Sequence, residues 1–210
     1  KFGILFTGKP LIVFGIKGPY KKSPIVRALI ALGPAYIKFG QLLSTRPDIV
    51  GANLANELKV LQDSLDPFPT TEAKKIVNEE LGIPVESIFS SFSDSVAAAS
   101  IAQVHKATVK ETKEVVAVKI LRPNVEKVFL KDLSALLFLA KFIEFVIPSF
   151  RRLKPTEVIN HFERLVREEL DLRMEISAAA EFAENTKSDR NFYVPKVIWS
   201  LSGRRVVTTE

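Results

Sequence analysis

Val116-Ala117-Val118-Lys119 places a lysine inside a run of β-branched and aliphatic residues, and further along comes Glu168-Glu169-Leu170-Asp171-Leu172-Arg173-Met174-Glu175. In a strand, Lys119 projects to the face opposite its immediate neighbours Val118 and Ile120. An ammonium held in an apolar strand must find an anion, because leaving it buried and unpaired is costly. A bound phosphate or a helix carboxylate meets that need. On the blander reading the strand lies at a sheet edge and Lys119 simply faces water. The acidic stretch reads as one helix in which Asp171 and Glu175, four apart, share a face. Like charges so placed repel by a few tenths of a kcal/mol, approximately, and tolerate the arrangement better when a cation lies opposite. Glu169 is four residues from Arg173, a local partner. The bland reading here is a solvated, charged helix face.

Outward from this pair, hydrophobic periodicity orders the chain. Helices are expected from Pro24, with a break at Gly33-Pro34, from about Ala52 to Gln62, and from a Thr70 cap to Leu81, ended by Gly82. Residues 87–93, 102–110 and 114–121 read as strands, the last two joined by a turn at Glu111-Thr112-Lys113. Asn124 is placed to cap a helix, and a long helix is expected from Thr156 to about Asn185. Lys196–Ser200 and Arg204–Thr209 read as two further strands. The order of helices, three strands, two helices and two strands fits an α+β chain with a five-stranded antiparallel sheet, interrupted by helix after its third strand.

Two more stretches stand out. Ala97-Ala98-Ala99-Ser100 lies between the first two strands, where small side chains let backbone N–H groups approach a ligand while resisting the positive φ that glycine allows. Alone it is equally an ordinary tight loop. Lys38-Phe39-Gly40-Gln41 sits on a helix, with Lys38 and Gln41 three apart and a glycine that permits close backbone approach. By itself it says only that the helix packs tightly on something.

Together, Lys38-Phe39-Gly40-Gln41, Ala97-Ala98-Ala99-Ser100, Val116-Ala117-Val118-Lys119 and Glu169-Leu170-Asp171 with Glu175 resemble the UbiB-type atypical kinase family, in the family's order and over roughly Ile25 to Glu210. These are protein-kinase-like proteins linked to coenzyme Q (ubiquinone) biosynthesis. The resemblance implies a protein-kinase-like small lobe, a five-stranded sheet plus a C-type helix, with an α-helical N-terminal extension and the large lobe absent. It divides the chain into a basic and apolar arm (1–23), a helical extension carrying the Lys-x-Gly-Gln motif (24–86) and the kinase-like lobe ending at the hinge (87–210). It implies ATP or ADP binding by Lys119, Glu175, Ala97, Ala98, Ala99, Ser100, Val104, Ala117 and Glu210, with Lys119 paired to Glu175. Family-specific gating falls to Lys38, Gly40, Gln41, Glu169 and Asp171, Lys38 reaching the two acids across the site. The catalytic aspartate and asparagine and the Mg²⁺ ligands are implied beyond residue 210. No catalytic or metal residue is therefore expected within this chain, which reads as a piece of a longer protein. By itself it should bind nucleotide weakly and not turn over. His105 and His161 read as structural.

Composition bounds the partners. The chain has 210 residues, a net charge of +6 and no cysteine, so neither a disulfide framework nor a cysteine-ligated metal is available. Residues 1–47 carry eight basic residues and no acid, interleaved with Phe2, Phe6, Leu11 and Phe14. This arm is suited to an anionic membrane surface or, equally, to packing on the domain. Nothing in the chain accompanies the charge with nucleic-acid motifs. Leu133–Ile147 is too short and too charged to span a bilayer. The expected role is thus the N-terminal part of an atypical kinase/ATPase supporting ubiquinone biosynthesis. Its expected place is peripheral, at the cytoplasmic face of a bacterial inner membrane, a mitochondrial or plastid homologue staying open. A prenyl-lipid quinone precursor and quinone-biosynthesis enzymes are further expected partners. The alternatives are a non-catalytic lipid-binding or scaffold protein and, less favoured, a ring hydroxylase, for which no Gly-x-Gly-x-x-Gly or metal-ligand cluster is present.

Overall fold

The computed structural model describes residues 23–61 and 66–210. Apart from Ser23, the expected basic arm lies outside the described residues. The chain forms two compact units: the described part of Lys1–Asp63 with Val128–Phe162, and the described part of Ser64–Lys127 with Glu163–Glu210.

The second unit is built on a sheet. Strands β1 (Phe89–Ala98), β2 (Ala102–Val109), β3 (Val115–Leu121) and β4 (Val206–Thr209) pair antiparallel in the order β1-β2-β3-β4. Helix α5 (Thr70–Leu81) and the short α6 (Val85–Ile88) supply Ala73, Ile76, Val77, Val85 and Ile88 to a core shared with Val116, Val118, Ile120 and Val206. The sheet has four strands among the described residues, where five were expected. Lys196–Ser200 makes only a single bridge, Val197 to Thr209, and then tightens into a 3₁₀ turn at Trp199–Leu201. The Ser202 hydroxyl closes that turn, donating to the Ile198 carbonyl and accepting from the Thr208 N–H. Strand propensity at Val197-Ile198 therefore yields to local turn bonding.

Three other expectations are corrected. Pro69, not Thr70, occupies the N-cap of α5, and the Thr70 hydroxyl instead donates to Asp94 at 2.6 Å. Asn124 has φ of 55°, outside the extended conformation of a capping residue. The long helix expected over 156–185 is two helices, α8 (Pro155–Glu169) and α9 (Leu172–Asn185), because Asp171 turns extended and caps α9 through the Arg173 N–H. Asp171 and Glu175 therefore do not share a helix face, and Arg173 pairs with Asp171 at 2.6 Å.

The first unit is helical: α1 (Pro24–Leu32), α2 (Pro34–Ser44), α3 (Pro47–Val50), α4 (Ala52–Leu58) and most of α7 (Val125–Val146). Gly33, at φ 111°, makes the break between α1 and α2 that Gly33-Pro34 announces. No helix among the described residues is long and apolar enough to cross a membrane.

Candidate functional site

Strand β3 sets the site. Val116, Val118 and Ile120 face α5 and are buried, which turns Ala117 and Lys119 to the opposite face. The register carries that face across the sheet, Lys119 lying beside Val104 on β2 and Val207 on β4, and Val104 beside Ala97 on β1. Ala97, Val104, Ala117 and Lys119 thus share one face. Val104, Ala117 and Lys119 remain half-exposed there while the other face of β3 is closed. With β4 hydrogen-bonded on its far side, β3 is not a sheet edge.

The Lys119 ammonium meets both carboxylate oxygens of Glu175, at 2.6 and 2.8 Å. Glu175 lies in the first turn of α9, where the helix dipole favours a negative charge. The two side chains stay 33% and 52% exposed, so an ammonium donor remains accessible beside a half-open apolar floor. Chemically, such a face offers a flat apolar surface to a planar group and a fixed cation to anionic oxygens.

The turn joining β1 and β2 lies at one end of this face. The Ala99 N–H donates to the Ala102 carbonyl at 2.8 Å, and Ser100 is fully buried. Arg122 binds the Ala99 carbonyl through Nε at 3.0 Å and the Asp66 carbonyl through its terminal nitrogen at 2.8 Å, with its guanidinium over the Phe68 ring. Gln103 then clasps the Phe68 backbone, accepting from its N–H and donating to its carbonyl. The Gln103 amide can only donate and the Ser93 carbonyl can only accept. His105 between them is therefore the neutral imidazole with its proton on Nδ1. Burial holds its pKa below the ordinary histidine value, against the Ser93 carbonyl and Asp94, which act the other way. Sequence reading missed Arg122, Gln103 and this network. The only signal was a polar Gln103-x-His105 alternation within the strand, whose partners lie far away in sequence.

At the other end of the face, Glu210 accepts from the Tyr193 hydroxyl at 2.6 Å and pairs with Lys196 at 3.3 Å. The Tyr193 bond, ahead of the Lys196 contacts, holds its carboxyl below the usual range. His161 lies exposed on α8. Among the described residues, no group of three or more His, Cys, Asp or Glu is arranged to hold a metal ion.

The Lys-x-Gly-Gln stretch belongs to the helical unit and is described there. A Cβ on Gly40 would run into Leu61 and Leu29, so glycine lets α2 lie against its neighbours. The Gln41 amide donates to the Leu61 carbonyl at 2.7 Å. Phe39 stacks tilted on Phe162, ring centroids 5.3 Å apart, and lines a cavity of about 490 Å³. Ile49, Val50, Leu136, Leu139 and Ile143 complete much of that wall, which is apolar throughout.

An antiparallel sheet whose third strand carries a lysine paired to a glutamate in a following helix defines a kinase-like domain. The match to known sequences makes the class specific. Residues 60–210 match the family model described as ABC1 atypical kinase-like domain, and the chain belongs to that family. It is 39% identical over 203 residues to a protein of Aliivibrio fischeri (strain MJ11) described as "Probable protein kinase UbiB", covering 94% of this chain and 37% of the relative. It is 43% identical over 184 residues to the Pseudomonas paraeruginosa protein of the same description, covering 87% and 34%. For the Marinobacter nauticus protein, also so described, the identity is 37% over 211 residues, covering 96% and 38%. The chain thus spans little more than a third of the length of these curated relatives.

Proposed function

We propose that this chain is the nucleotide-holding part of a UbiB-type atypical kinase/ATPase that supports ubiquinone biosynthesis at a membrane. The observation that carries the reading is the Lys119–Glu175 pair, bidentate yet part-exposed, on the same face as Ala97, Val104 and Ala117. An ion pair this exposed contributes at most about 1 kcal/mol to folding, so stability alone gives little reason to hold it in place. Its chemical use is to present a fixed ammonium to α/β-phosphate oxygens. ATP, when bound, supplies the phosphoryl group. This chain's residues would orient it: Lys119 at the phosphates, Val104 and Ala117 against the base, the Ala97–Ser100 turn over the phosphates, and Glu210 at the adenine end. Lys38, Gly40, Gln41, Glu169 and Asp171 remain our proposed gate. Mg²⁺ ligands belong to sequence beyond residue 210 in this reading.

The test is nucleotide titration calorimetry on the full-length protein and its Lys119→Ala variant. Affinity for ATP or ADP should fall at least about tenfold, a loss of one charge-assisted contact. Equal affinity would overturn the assignment. A second reading, a non-catalytic lipid-binding protein that organises quinone-synthesis enzymes, is favoured by the wholly apolar cavity beside Phe39. On that reading Lys119→Ala leaves function in ubiquinone synthesis intact.

A further inference from the structure

Helix α7 leaves an aromatic stripe uncovered. Its packed side is Phe129, Leu133, Leu136 and Ala140, all buried. On the opposite side Phe138, Phe142 and Phe145, spaced four and three residues apart, lie on one line down the helix. They are 73%, 53% and 78% exposed, and Val146, Ile147 and Phe150 extend the apolar surface past the helix end. Three phenyl rings in water on one stripe are far from the scatter of single apolar residues that any surface carries.

Exposed basic residues flank the stripe, and the acids of its stretch of α7, Asp132 and Glu144, are half-buried. Lys131 and Lys141 on α7 and Arg151 and Arg152 in the following 3₁₀ turn (Pro148–Leu153) are all exposed. Glu144 is turned away, both its carboxylate oxygens accepting from Thr156 at 2.8 and 2.9 Å. An aromatic stripe rimmed by cations matches an interface whose surface is anionic and whose interior is hydrocarbon. It matches the other candidate occupants badly. A second copy would set cations against cations, and residues 1–22 bring five lysines and no acid.

We infer that the Phe138–Phe142–Phe145 stripe is a docking surface for an anionic lipid bilayer, the rings entering the acyl boundary and Lys131, Lys141, Arg151 and Arg152 meeting headgroup phosphates. The helix lies in the plane of the interface and does not cross it. Leu139, exposed on the flank of the stripe, also lines the apolar cavity, which brings that cavity to the lipid side of the surface. The inference deepens the membrane part of the proposed function and does not depend on nucleotide binding.

Flotation of the chain with phosphatidylcholine vesicles, with and without phosphatidylglycerol, tests it. Binding should require the anionic lipid, and the double variant Phe138→Ser/Phe145→Ser should lower partitioning at least about tenfold while the far-UV spectrum stays unchanged. In a Trp199→Phe background, the indole introduced by Phe145→Trp should be quenched by brominated acyl chains. Partitioning that survives the double variant, with no quenching, would overturn the inference and leave any binding to the basic arm. Self-association abolished by the same variant would also overturn it, in favour of a second copy. Nucleotide titration of the double variant should match the parent, so failure here leaves the kinase reading standing.

Discussion

Lys119 and Glu80 show how differently two ion pairs are used. Lys119–Glu175 is part-exposed, and its removal costs the fold little: Lys119→Ala should shift chemical-denaturation stability by less than about 1 kcal/mol. Glu80 lies in the last turn of α5, against the residues that lead into β4, its side chain mostly covered. It accepts from the Arg204 and Arg205 N–H groups and from the Arg205 guanidinium. Glu80→Ala strands those donors and should cost about 2 kcal/mol in the same measurement. If instead Lys119→Ala proved the more destabilising of the two, the pair in the candidate site would be a structural one.

At the scale of elements, α2 is held by what Gly40 lacks. Its neighbours Leu29, Leu58 and Leu61 fill the space a side chain would need. Gly40→Ala overpacks this contact and should lower stability by about 1–3 kcal/mol, read as a fall in the urea midpoint with unchanged slope. An unchanged midpoint would mean that the leucines give way freely. Gln41 adds a bond to the Leu61 carbonyl, so two of the motif's residues have work inside their own unit whatever else they do. The β1–β2 turn is built on the same principle of remote support: Arg122, at the end of β3, holds Ala99 from the far side of the hairpin.

The whole molecule should weaken in acid in two stages. Burial depresses the pKa of His105 in the fold, so the unfolded chain binds that proton more readily. Stability is then full above the ordinary value of 6.5 and declines as pH falls below it toward the folded value. The carboxylates respond lower. For Glu80, burial acts to raise the pKa, but Arg205 and the backbone N–H groups outweigh it; for Asp171 the Arg173 bond leads. Both are held below their ordinary 4.5 and 3.8, so their contributions persist above those values and vanish as pH falls through the folded ones. Thermal unfolding across pH 7.5 to 3 should show both declines, and His105→Gln should remove the first. A melting temperature flat from pH 7 to 5 would contradict the buried neutral imidazole.

The strands at 102–110 and 114–121, the helix ended by Gly82 and the break at Gly33-Pro34 were legible from periodicity and turn chemistry, because each depends on neighbours close in sequence. So was the need of Lys119 for an anion. The first strand, expected over 87–93, instead begins at Phe89 after α6 and runs on through Ala97 to Ala98. The length of β4's neighbour was not legible: Val197-Ile198 has strand character, and only the Ser202 hydroxyl's bonds decide that it turns after one bridge. Nor was the break before Asp171, where a charged run reads as unbroken helix until the side chain caps α9. That Ala97, Val104, Ala117 and Lys119 share a face follows from strand register, and that Arg122 and Gln103 brace the turn follows from bonds spanning more than twenty residues. The sequence by itself determined most of the elements and the chemistry that had to be satisfied. The tertiary structure alone chose the partners, because burial and hydrogen bonding are settled between residues that the chain brings together only by folding.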